Sequence, residues 1–530
     1  MRGHTLRTAA AIACVAGPLA AAAAAHRQTA GRTIYIDPSI RPASCATYAP
    51  EPRTCGGGGA TAYRTLDGGA RAAAPGTTVI LRGGTYTDPL VPAVSGTEQQ
   101  PIVFQAADGE VATLTAIDAP AVQIIGRSYI TVANLTVADV TGWGRVQDST
   151  HIVIRGMKFR NATANGTTGG LKFVRSSLNR ITGNRFEEGT DDLLLQDASN
   201  GNLVSGNNFT GAHHSLLSIR CAEANAIRGN LFDNPRQKAI EIYDCEGVSD
   251  APVRMDATRR NLIENNSFVR TRAAGRVYEY NAIQHGAQYT LVRRNVFRGA
   301  LGGGVNYQSY PQESLFVHSN RLYHNTFYAN RCFALVGNRG DGKQYFDNVA
   351  VNNLFYLNAD CEGGGTQISI DDRSAVVLRA NGVETRDPQF VDPKAGNFRL
   401  APGSRDIDAG SALTATTSDG EGTSLPVADV LFFYAGRAVP GDQGDEIQLL
   451  GTTDRARVVA IDAAARRLNL DRPLTWHSGQ GVALAFNGAA PDFGAYEADA
   501  PHPARSARGV LRLLADPAGW FASRDWSIVR

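Results

Sequence analysis

Charge of either sign is scarce in this sequence. Lys, Arg, Asp and Glu together supply 19% of the 530 residues, and the formal net charge is only +2. Because there is also no basic stripe and no recognised nucleic-acid motif, the sequence argues against a nucleic-acid partner. Beyond residues 1–25, no stretch is long and apolar enough for a membrane span. No Cys-x-x-Cys or paired His-Cys spacing occurs, which argues against a zinc site.

Residues 1–25 are typical of a secretory signal peptide. Arg2 and Arg7 come before an Ala-rich apolar run that ends in the small residues Ala23–Ala25, a cleavage site. We therefore expect a secreted or periplasmic protein that is soluble after cleavage, and a monomer.

Asparagine and phenylalanine supply the strongest pattern that is present. An Asn-x-Phe unit occurs seven times, first at a spacing of 23 residues and later at spacings of 28 to 36. Its aromatic residues are Phe186, Phe209, Phe232, Phe268, Phe297, Phe327 and Phe355. Such a period, with short apolar strands between polar turns, predicts a β-solenoid in which stacked turns bury a common core. We expect the Phe rings to stack inward and the Asn amides to form a ladder at a turn, because Asn tolerates left-handed backbone.

The strand after each Phe can be assigned an inner and an outer face, because side chains alternate along a strand. Positions eight and ten after Phe are mostly apolar and should point inward: Leu194, Gln196, Leu217, Ile219, Ile240 and Ile242. Positions nine and eleven should point outward: Leu195, Asp197, Ser218, Arg220, Glu241 and Tyr243. The register also stacks Ser215 on Lys238, so that one polar patch is expected on neighbouring turns.

Six cysteines remain when Cys14, inside the signal peptide, is set aside. An even number in an exported chain predicts disulfides. One pair flanks a short loop, and the other two pairs are 24 and 29 residues apart, about one turn of the repeat. The predicted bonds are Cys45–Cys55, Cys221–Cys245 and Cys332–Cys361.

The first turns carry a family resemblance. A short helix over Thr65–Ala74 should cover the open end of the solenoid, since an uncovered end is an unpaired edge. The run Pro75–Tyr86, followed by Gly96-Thr97 and Pro101–Phe104, resembles the opening of exported right-handed parallel β-helix proteins of the pectin-lyase-like superfamily. The branch it resembles most contains alginate lyases and chondroitinase B. The resemblance covers roughly residues 32–410 and the stretch Pro491–Glu497, and it implies the right-handed winding.

These observations predict an all-β protein: a single-stranded right-handed parallel β-helix with an N-terminal capping helix and a small inserted antiparallel module. Residues 387–410 resemble the run that closes such helices, and residues 411–488 alternate strongly, as expected of antiparallel strands. The inserted module is either a packing lobe or a carbohydrate-binding unit. The predicted segments are the signal peptide (1–25), the β-helix (32–410), the inserted module (411–488), a closing strand (489–500) and a C-terminal tail (501–530).

The resemblance implies cleavage of an acidic polysaccharide, often a uronic-acid polymer by β-elimination. That reaction needs a group that neutralises the substrate carboxylate, a base for the C5 proton and an acid for the leaving oxygen. We expect Lys238 or His214 to be the base and Tyr243 the acid, with Arg220 and Glu241 orienting the substrate. The expected substrate contacts are His213, Arg236, Tyr280, His285 and Tyr307.

Calcium is a possible cofactor. The resemblance implies a Lys base, an Arg and, in several members, calcium held by Asn and Glu. Glu241 and Asp244, together with Asp197, supply the hard oxygen ligands that calcium prefers. An Arg can neutralise a carboxylate without metal, so both solutions stay open.

Three alternatives remain. Asp191-Asp192 and His285-Gly286 are similar to motifs of pectic glycoside hydrolases, although no Arg-x-Lys follows at the matching place. The chain would otherwise be a non-catalytic polysaccharide-binding or surface β-helix protein. Individual residues also have structural interpretations: His213-His214 as a surface turn, and Glu241 in an ion pair with Arg220.

Overall fold

In the computed structural model the chain winds into a solenoid with three long, mainly parallel sheets, and each turn of the chain adds one short strand to each sheet. The structure describes residues 31–164, 169–243, 245, 258–270, 281–307, 316–337, 344–361, 366–370, 376–437 and 439–498. The predicted signal peptide and C-terminal tail, as well as Asp244 and Tyr280, lie outside these residues. Within them, no helix is long and apolar enough to cross a membrane.

The strands of the three long sheets number 16, 12 and 10 in the described residues. The first sheet contains Thr54–Cys55, Ser44–Ala49, Ala60–Tyr63, Thr33–Ile36, Thr78–Leu81, Ile102–Ala106, Ile130–Ala133, Val153–Arg155, Arg180–Thr182, Leu203–Ser205, Ala226–Arg228, Leu262–Glu264, Leu291–Arg293, Arg321–Tyr323, Asn348–Val351 and Val376–Arg379. The second contains Gly84–Tyr86, Ala112–Leu114, Thr136–Val140, Lys158–Ala162, Arg185–Glu187, Asn208–Thr210, Leu231–Asp233, Ser267–Val269, Val296–Arg298, Thr326–Tyr328, Leu354–Tyr356 and Gly382–Glu384. The third contains Pro120–Ile125, Gly142–Gln147, Leu171–Val174, Asp191–Gln196, Ser215–Arg220, Lys238–Tyr243, Ile283–His285, Val305–Tyr307, Leu335–Gly337 and Ile368–Ile370.

Smaller elements complete the fold. A parallel pair joins Phe316–His318 to Gln344–Phe346, and an antiparallel pair joins Phe390–Asp392 to Asn397–Leu400. A six-stranded antiparallel sheet contains Thr414–Ala415, Gly420–Pro426, Glu446–Leu449, Arg455–Asp462, Arg467–Trp476 and Gly481–Leu484. The predicted all-β fold, with its parallel helix and inserted antiparallel module, is confirmed.

The Asn-x-Phe repeat forms the core as predicted. Successive Phe rings from Phe186 to Phe355 stack at centroid distances of 4.6 to 5.0 Å. The Asn side chains form a buried ladder in which Nδ2 of Asn184 donates to Oδ1 of Asn207 at 2.9 Å, and Asn207 does the same to Asn230 at 3.0 Å. Each buried amide is therefore hydrogen-bonded to the amide of the next turn, so these polar groups can be buried in the solenoid without losing their hydrogen bonds.

The reason expected for the Asn residues was wrong, because the left-handed backbone belongs to the residue before each one. Gly183, Gly206 and Gly229 have φ values of 64°, 62° and 60°. The ladder Asn residues themselves are not left-handed; they are selected because their amides bridge turns.

The inner and outer faces of the third sheet differ from the prediction in one strand. Leu194 pairs with Ser218, and Ser218 with Glu241, so Leu194 belongs to the outward row and Leu195 to the core. The connection after Phe186 is one residue shorter than the connections after Phe209 and Phe232, and a one-residue slip exchanges the faces.

The N-terminal end of the solenoid is capped by the helix Leu66–Ala72. Thr65 is its N-cap and accepts a hydrogen bond from the Gly68 amide, which satisfies a donor that the first helical turn leaves free. Leu66 and Ala70 are buried against the first strands. The predicted cap is confirmed.

The closing strand predicted for residues 489–500 is not formed by its described part, residues 489–498. This segment instead crosses the second sheet in an irregular conformation. The Gly494 amide donates to the Asn352 carbonyl at 3.0 Å, and the Ala495 amide to Thr326 Oγ1 at 2.9 Å. Because the Ala495 amide donates to the Thr326 side chain and not to a backbone carbonyl, the regular backbone hydrogen bonding of a paired strand does not continue.

All three predicted disulfides are present. The bonds Cys45–Cys55, Cys221–Cys245 and Cys332–Cys361 have Cα separations of 5.8, 4.5 and 4.1 Å. The second and third each join neighbouring turns, as the spacing of about one period requires.

Candidate functional site

Polar side chains gather on the outward face of the third sheet, where its strands begin. The strands Asp191–Gln196, Ser215–Arg220 and Lys238–Tyr243 are consecutive and in register. Ser215 stacks on Lys238 and Arg220 on Tyr243, as the sequence predicted. The structure therefore brings most of the predicted catalytic residues together; Asp191, which the catalytic set left out, joins them.

Lys238 and Glu241 form a buried ion pair at the centre of this site. Their exposed fractions are 1% and 0%. Oε1 of Glu241 accepts the bond from Lys238 Nζ, and Oε2 accepts one from Ser215 Oγ at 3.0 Å. Burial raises the pKa of Glu241, opposed by the charges of Lys238 and His214. The ion pair predicted between Glu241 and Arg220 is wrong among the described residues, because Glu241 takes Lys238 as its partner.

His214 is held by Asp191. The His214 Nδ1 atom lies 2.8 Å from Asp191 Oδ1, which also accepts the Ser215 amide at 3.2 Å. Burial lowers the pKa of His214, but the hydrogen bond to Asp191 and the charges of Asp191 and Glu241 outweigh it, so the net shift is upward. The His214 side chain is 36% exposed, in contrast to the buried Lys238 and Glu241. His214 is thus an oriented imidazole that solvent or a substrate can reach.

The Asp191–His214 pair was available in the sequence. The two residues are 23 positions apart, which is one period of the repeat. In the sequence, Asp191 and Asp192 together resemble one short motif, and this conceals the pairing of Asp191 with His214. In the structure Asp192 faces the interior, beside Trp143, where it accepts the Gly189 amide at 3.0 Å. Burial raises the pKa of Asp192 far above its usual range.

Arg220 and Tyr243 form the other side of the site. The Arg220 guanidinium lies 5.7 Å from the centroid of the Tyr243 ring, and Lys238 Nζ lies 6.0 Å from the same centroid. Nε of Arg220 is buried without a hydrogen-bond partner. This cation is therefore positioned by an aromatic ring rather than neutralised by a carboxylate.

A groove of about 370 Å³ runs beside the site, at the corner between the second and third sheets. His213 and Arg236 are exposed here, and Nη1 of Arg236 lies 3.3 Å from Nδ1 of His213. The groove is lined by Arg160, Asn161, Glu187, Glu188, Thr210, Gly211, Asn234 and Arg236.

His285 and Tyr307 do not line this groove, so their predicted positions are wrong. His285 pairs in register with Ile242, a core residue, and its ring lies 5.0 Å from that of Tyr307. Their exposed fractions are 0% and 1%, and neither ring nitrogen of His285 has a hydrogen-bond partner. Burial lowers the pKa of His285 to about 3, so the ring is neutral. With His285 and Asp192 both inside, the pectic-hydrolase motif is not assembled on the surface.

The described residues do not fit a calcium ion at Glu241. Both carboxylate oxygens of Glu241 already accept hydrogen bonds, one of them from the Lys238 ammonium, which would repel a second cation. Over the described part of the chain, no group of three or more His, Cys, Asp or Glu side chains is arranged to hold a metal. Asp197 lies at the end of its strand, where it accepts a bond from Gln196 at 2.8 Å.

Comparisons with known proteins address the fold. A family model described as a right-handed β-helix region matches residues 120–253. Together with the three long parallel sheets, this match confirms the right-handed parallel β-helix that the resemblance to the pectin-lyase-like superfamily implied. No curated protein matches the sequence.

Similar solved structures include three carbohydrate-active proteins. Pectate lyase Pel9A is 13% identical, with 89% of this chain and 97% of that chain covered and a TM-score of 0.49. An alginate lyase from a Paenibacillus species is 14% identical, with 65% and 99% covered and a TM-score of 0.40. A lacto-N-biosidase from Eubacterium ramulus is 12% identical, with 66% and 68% covered and a TM-score of 0.38. At these values the likenesses carry no argument about the activity of this chain.

Proposed function

We propose that the protein is a polysaccharide-active enzyme, and more specifically a lyase that cleaves a uronic-acid-containing polysaccharide by β-elimination. The observation that carries the proposal is the partly exposed His214, held by Asp191, directly before the strand Ser215–Arg220, whose last residue is the Arg220 cation on the same face of the solenoid. A base and a group that neutralises a carboxylate are two of the three requirements of the reaction. The flat face across successive strands suits an extended polymer.

Of the two expected bases, the geometry favours His214. The Lys238 ammonium is buried and bound to Glu241, so taking a proton from a sugar would first require breaking that ion pair. His214 presents its Nε2 edge away from Asp191, because Nδ1 makes the hydrogen bond to the carboxylate. The carboxylate stabilises the imidazolium that forms when His214 accepts the C5 proton.

The remaining residues have supporting roles in this scheme. Arg220 binds the substrate carboxylate and makes the neighbouring C5–H more acidic, while Tyr243 is the acid for the leaving oxygen. Glu241 is too deeply buried to touch a sugar; it positions Lys238 and Ser215. His213 and Arg236 contact the polymer along the groove. An elimination in which Arg220 neutralises the carboxylate needs no metal, and removal of calcium by chelation tests this directly.

The proposed location is outside the cytoplasm. The three disulfides are consistent with an oxidising compartment, and extracellular polysaccharides are found there. We propose a secreted or periplasmic protein, and a monomer in solution.

The test is incubation of the purified protein with a panel of uronic-acid polymers. β-Elimination creates an unsaturated uronate whose ultraviolet absorbance grows with time, and at least one polymer should give it. New reducing ends without that absorbance would indicate a hydrolase instead. If neither signal appears on any polymer, but the polymers bind, the protein is a binding module and the proposed lyase is wrong.

A further inference from the structure

Among the described residues, the outward face of the third sheet carries three cations that form no salt bridge with a carboxylate. Lys172 lies between Arg145 and Leu194 in one row, which continues to Ser218 and Glu241. Lys172 is half-buried and forms no salt bridge with any described carboxylate. The exposed Arg145 binds only the neutral Gln147, at 2.7 Å. Arg220, in the neighbouring row, stacks on Tyr243.

Several arginines on the outside of this solenoid are paired with carboxylates. Four of them form salt bridges with acidic residues on their own or the adjacent turn: Arg175 with Asp148, Arg185 with Glu187, Arg259 with Glu223 and Arg270 with Asp233. Lys172 and Arg145 instead lie side by side in one row, Lys172 is half-buried, and neither forms a salt bridge with a described carboxylate. A half-buried ammonium without a counter-charge is costly, and a ligand that supplies the charge would remove that cost.

The geometry points to a subsite for an anionic sugar, which we propose is formed by Lys172 and Arg145. The subsite rests on the proposed function. It requires a polymer that carries a second negative group, several sugar units away from the bond that is cut. Lys172 and Glu241 are three strand spacings apart, about 14 Å at the usual 4.8 Å per strand. A polymer bound at His214 and at Lys172 must therefore lie across the strands, toward the N-terminal end of the solenoid.

The electrostatics of Lys172 agree with this arrangement. Burial lowers the pKa of Lys172, and the charges of Arg145 and Arg220 lower it further, while Asp197 and Asp191 oppose the shift. Asp191 is engaged by His214 and the Ser215 amide, and Asp197 by Gln196. An arriving carboxylate or sulfate would pair with the ammonium and favour its charged form.

The experiment measures binding of six-unit oligosaccharides by calorimetry. The ligands are a uronate oligomer, a sulfated oligomer without carboxylates and a neutral oligomer. Lys172→Ala should weaken binding of the uronate oligomer about tenfold, the loss of one charge-assisted hydrogen bond. Lys172→Arg should keep most of the affinity, because the subsite requires a cation and not a base. Lys158→Ala, an exposed lysine on the same turn but on the second sheet, is the matched control and should bind as the wild type does.

The outcomes separate this subsite from the lyase activity. If Lys172→Ala binds the uronate oligomer as tightly as the wild type, or if Lys172→Arg is as weak as Lys172→Ala, the subsite is wrong. Failure of the wild type to bind either anionic oligomer also overturns it. If no polymer yields an unsaturated product but Lys172→Ala still loses affinity, the lyase is wrong and the subsite stands. Weaker binding of the sulfated oligomer than of the uronate oligomer would identify the carboxylate as the group recognised.

Discussion

Two outward faces of the same solenoid each contain a buried cluster of charges, and the two clusters differ in how completely they are paired. On the first sheet, Arg293 binds Asp445 of the inserted module, with Nη1 2.7 Å from Oδ2, and its Nε lies 2.8 Å from Glu264. Glu264 also pairs with Arg228 at 3.0 Å. On the third sheet, Glu241 has one cation, Lys238, and the neighbouring His214 remains partly exposed.

The two glutamates show what that difference means. Burial would raise the pKa of both, but at Glu264 the charges of Arg293, Arg228 and Arg294 reverse the effect and the pKa is lowered. At Glu241 the charges of Lys238 and His214 do not suffice, and the pKa is raised. The first cluster is therefore fixed in one protonation state and holds two parts of the protein together. The second contains a glutamate with a raised pKa beside a partly exposed imidazole, the arrangement on which the proposed acid–base chemistry rests.

The inserted module contacts the first sheet through the Arg293–Asp445 pair and through an apolar core. Apolar residues of the module, such as Leu425, Val427 and Phe432, share one core with Leu262 and Tyr323 of the first sheet. The module thus packs on this face through a shared apolar core. Among the described residues, no apolar core of this kind joins the module to the third sheet.

The largest expected effect is on the exposed histidine of the third sheet. His214→Ala should reduce the rate of elimination roughly 10²–10⁴-fold, because a positioned general base contributes that much. The melting temperature should change little. The measurement is the initial rate on the best polymer, with His151→Ala, on the first-sheet side of the chain, as the control. A folded His214→Ala protein with near-full activity would exclude His214 as the base.

The next effect is on the paired cluster of the first sheet. Arg293→Met should lower the free energy of unfolding by about 3–5 kcal/mol, because it leaves Asp445 buried without its cation and Glu264 with Arg228 alone. Denaturant unfolding measures this loss. The control is Arg270→Met, which breaks an exposed pair with Asp233 and should cost less than about 1 kcal/mol. Equal losses for the two variants would contradict the contrast between the clusters.

A smaller effect concerns pH. Because the pKa of His214 is raised above the ordinary value of 6.5, the ring stays protonated to higher pH, and activity should rise with a midpoint above 6.5. Asp191→Asn removes the negative charge that stabilises the imidazolium, so the midpoint should move to lower pH. Rate–pH profiles of both proteins on one polymer measure the shift. An unchanged midpoint would show that His214 is not the group that titrates.

The smallest expected effect is that of metal removal. Since the oxygens of Glu241 are occupied by Lys238 and Ser215, exhaustive chelation should leave the elimination rate unchanged. The rate before chelation and after return of calcium serves as the reference. A loss that calcium alone restores would establish the cofactor and direct attention to residues outside the described part of the chain.

Much of the fold follows from local sequence. The Asn-x-Phe units mark each turn because a stacked ring and a stacked amide are needed at the same place in every turn, and spacing alone reveals that. The capping helix begins at Thr65 and the disulfides join cysteines one turn apart, features that nearby residues specify. The same period of 23 residues relates Asp191 to His214, so even the central contact of the candidate site was encoded at short range.

Only the tertiary structure decided which way several side chains point and which faces meet. The connection after Phe186 is one residue shorter than those after Phe209 and Phe232, and this exchanged the faces of Leu194 and Leu195. Side chains alternate only within a strand, so a turn of different length changes which residue of the next strand points inward. The third-sheet strand after Lys238–Tyr243 begins only at Ile283. Over this longer interval the predicted inward and outward positions were wrong, and His285 and Tyr307 lie in the core. The pairing of Arg293 with Asp445, 152 residues away, could not be read from any local pattern, because it depends on where the inserted module docks.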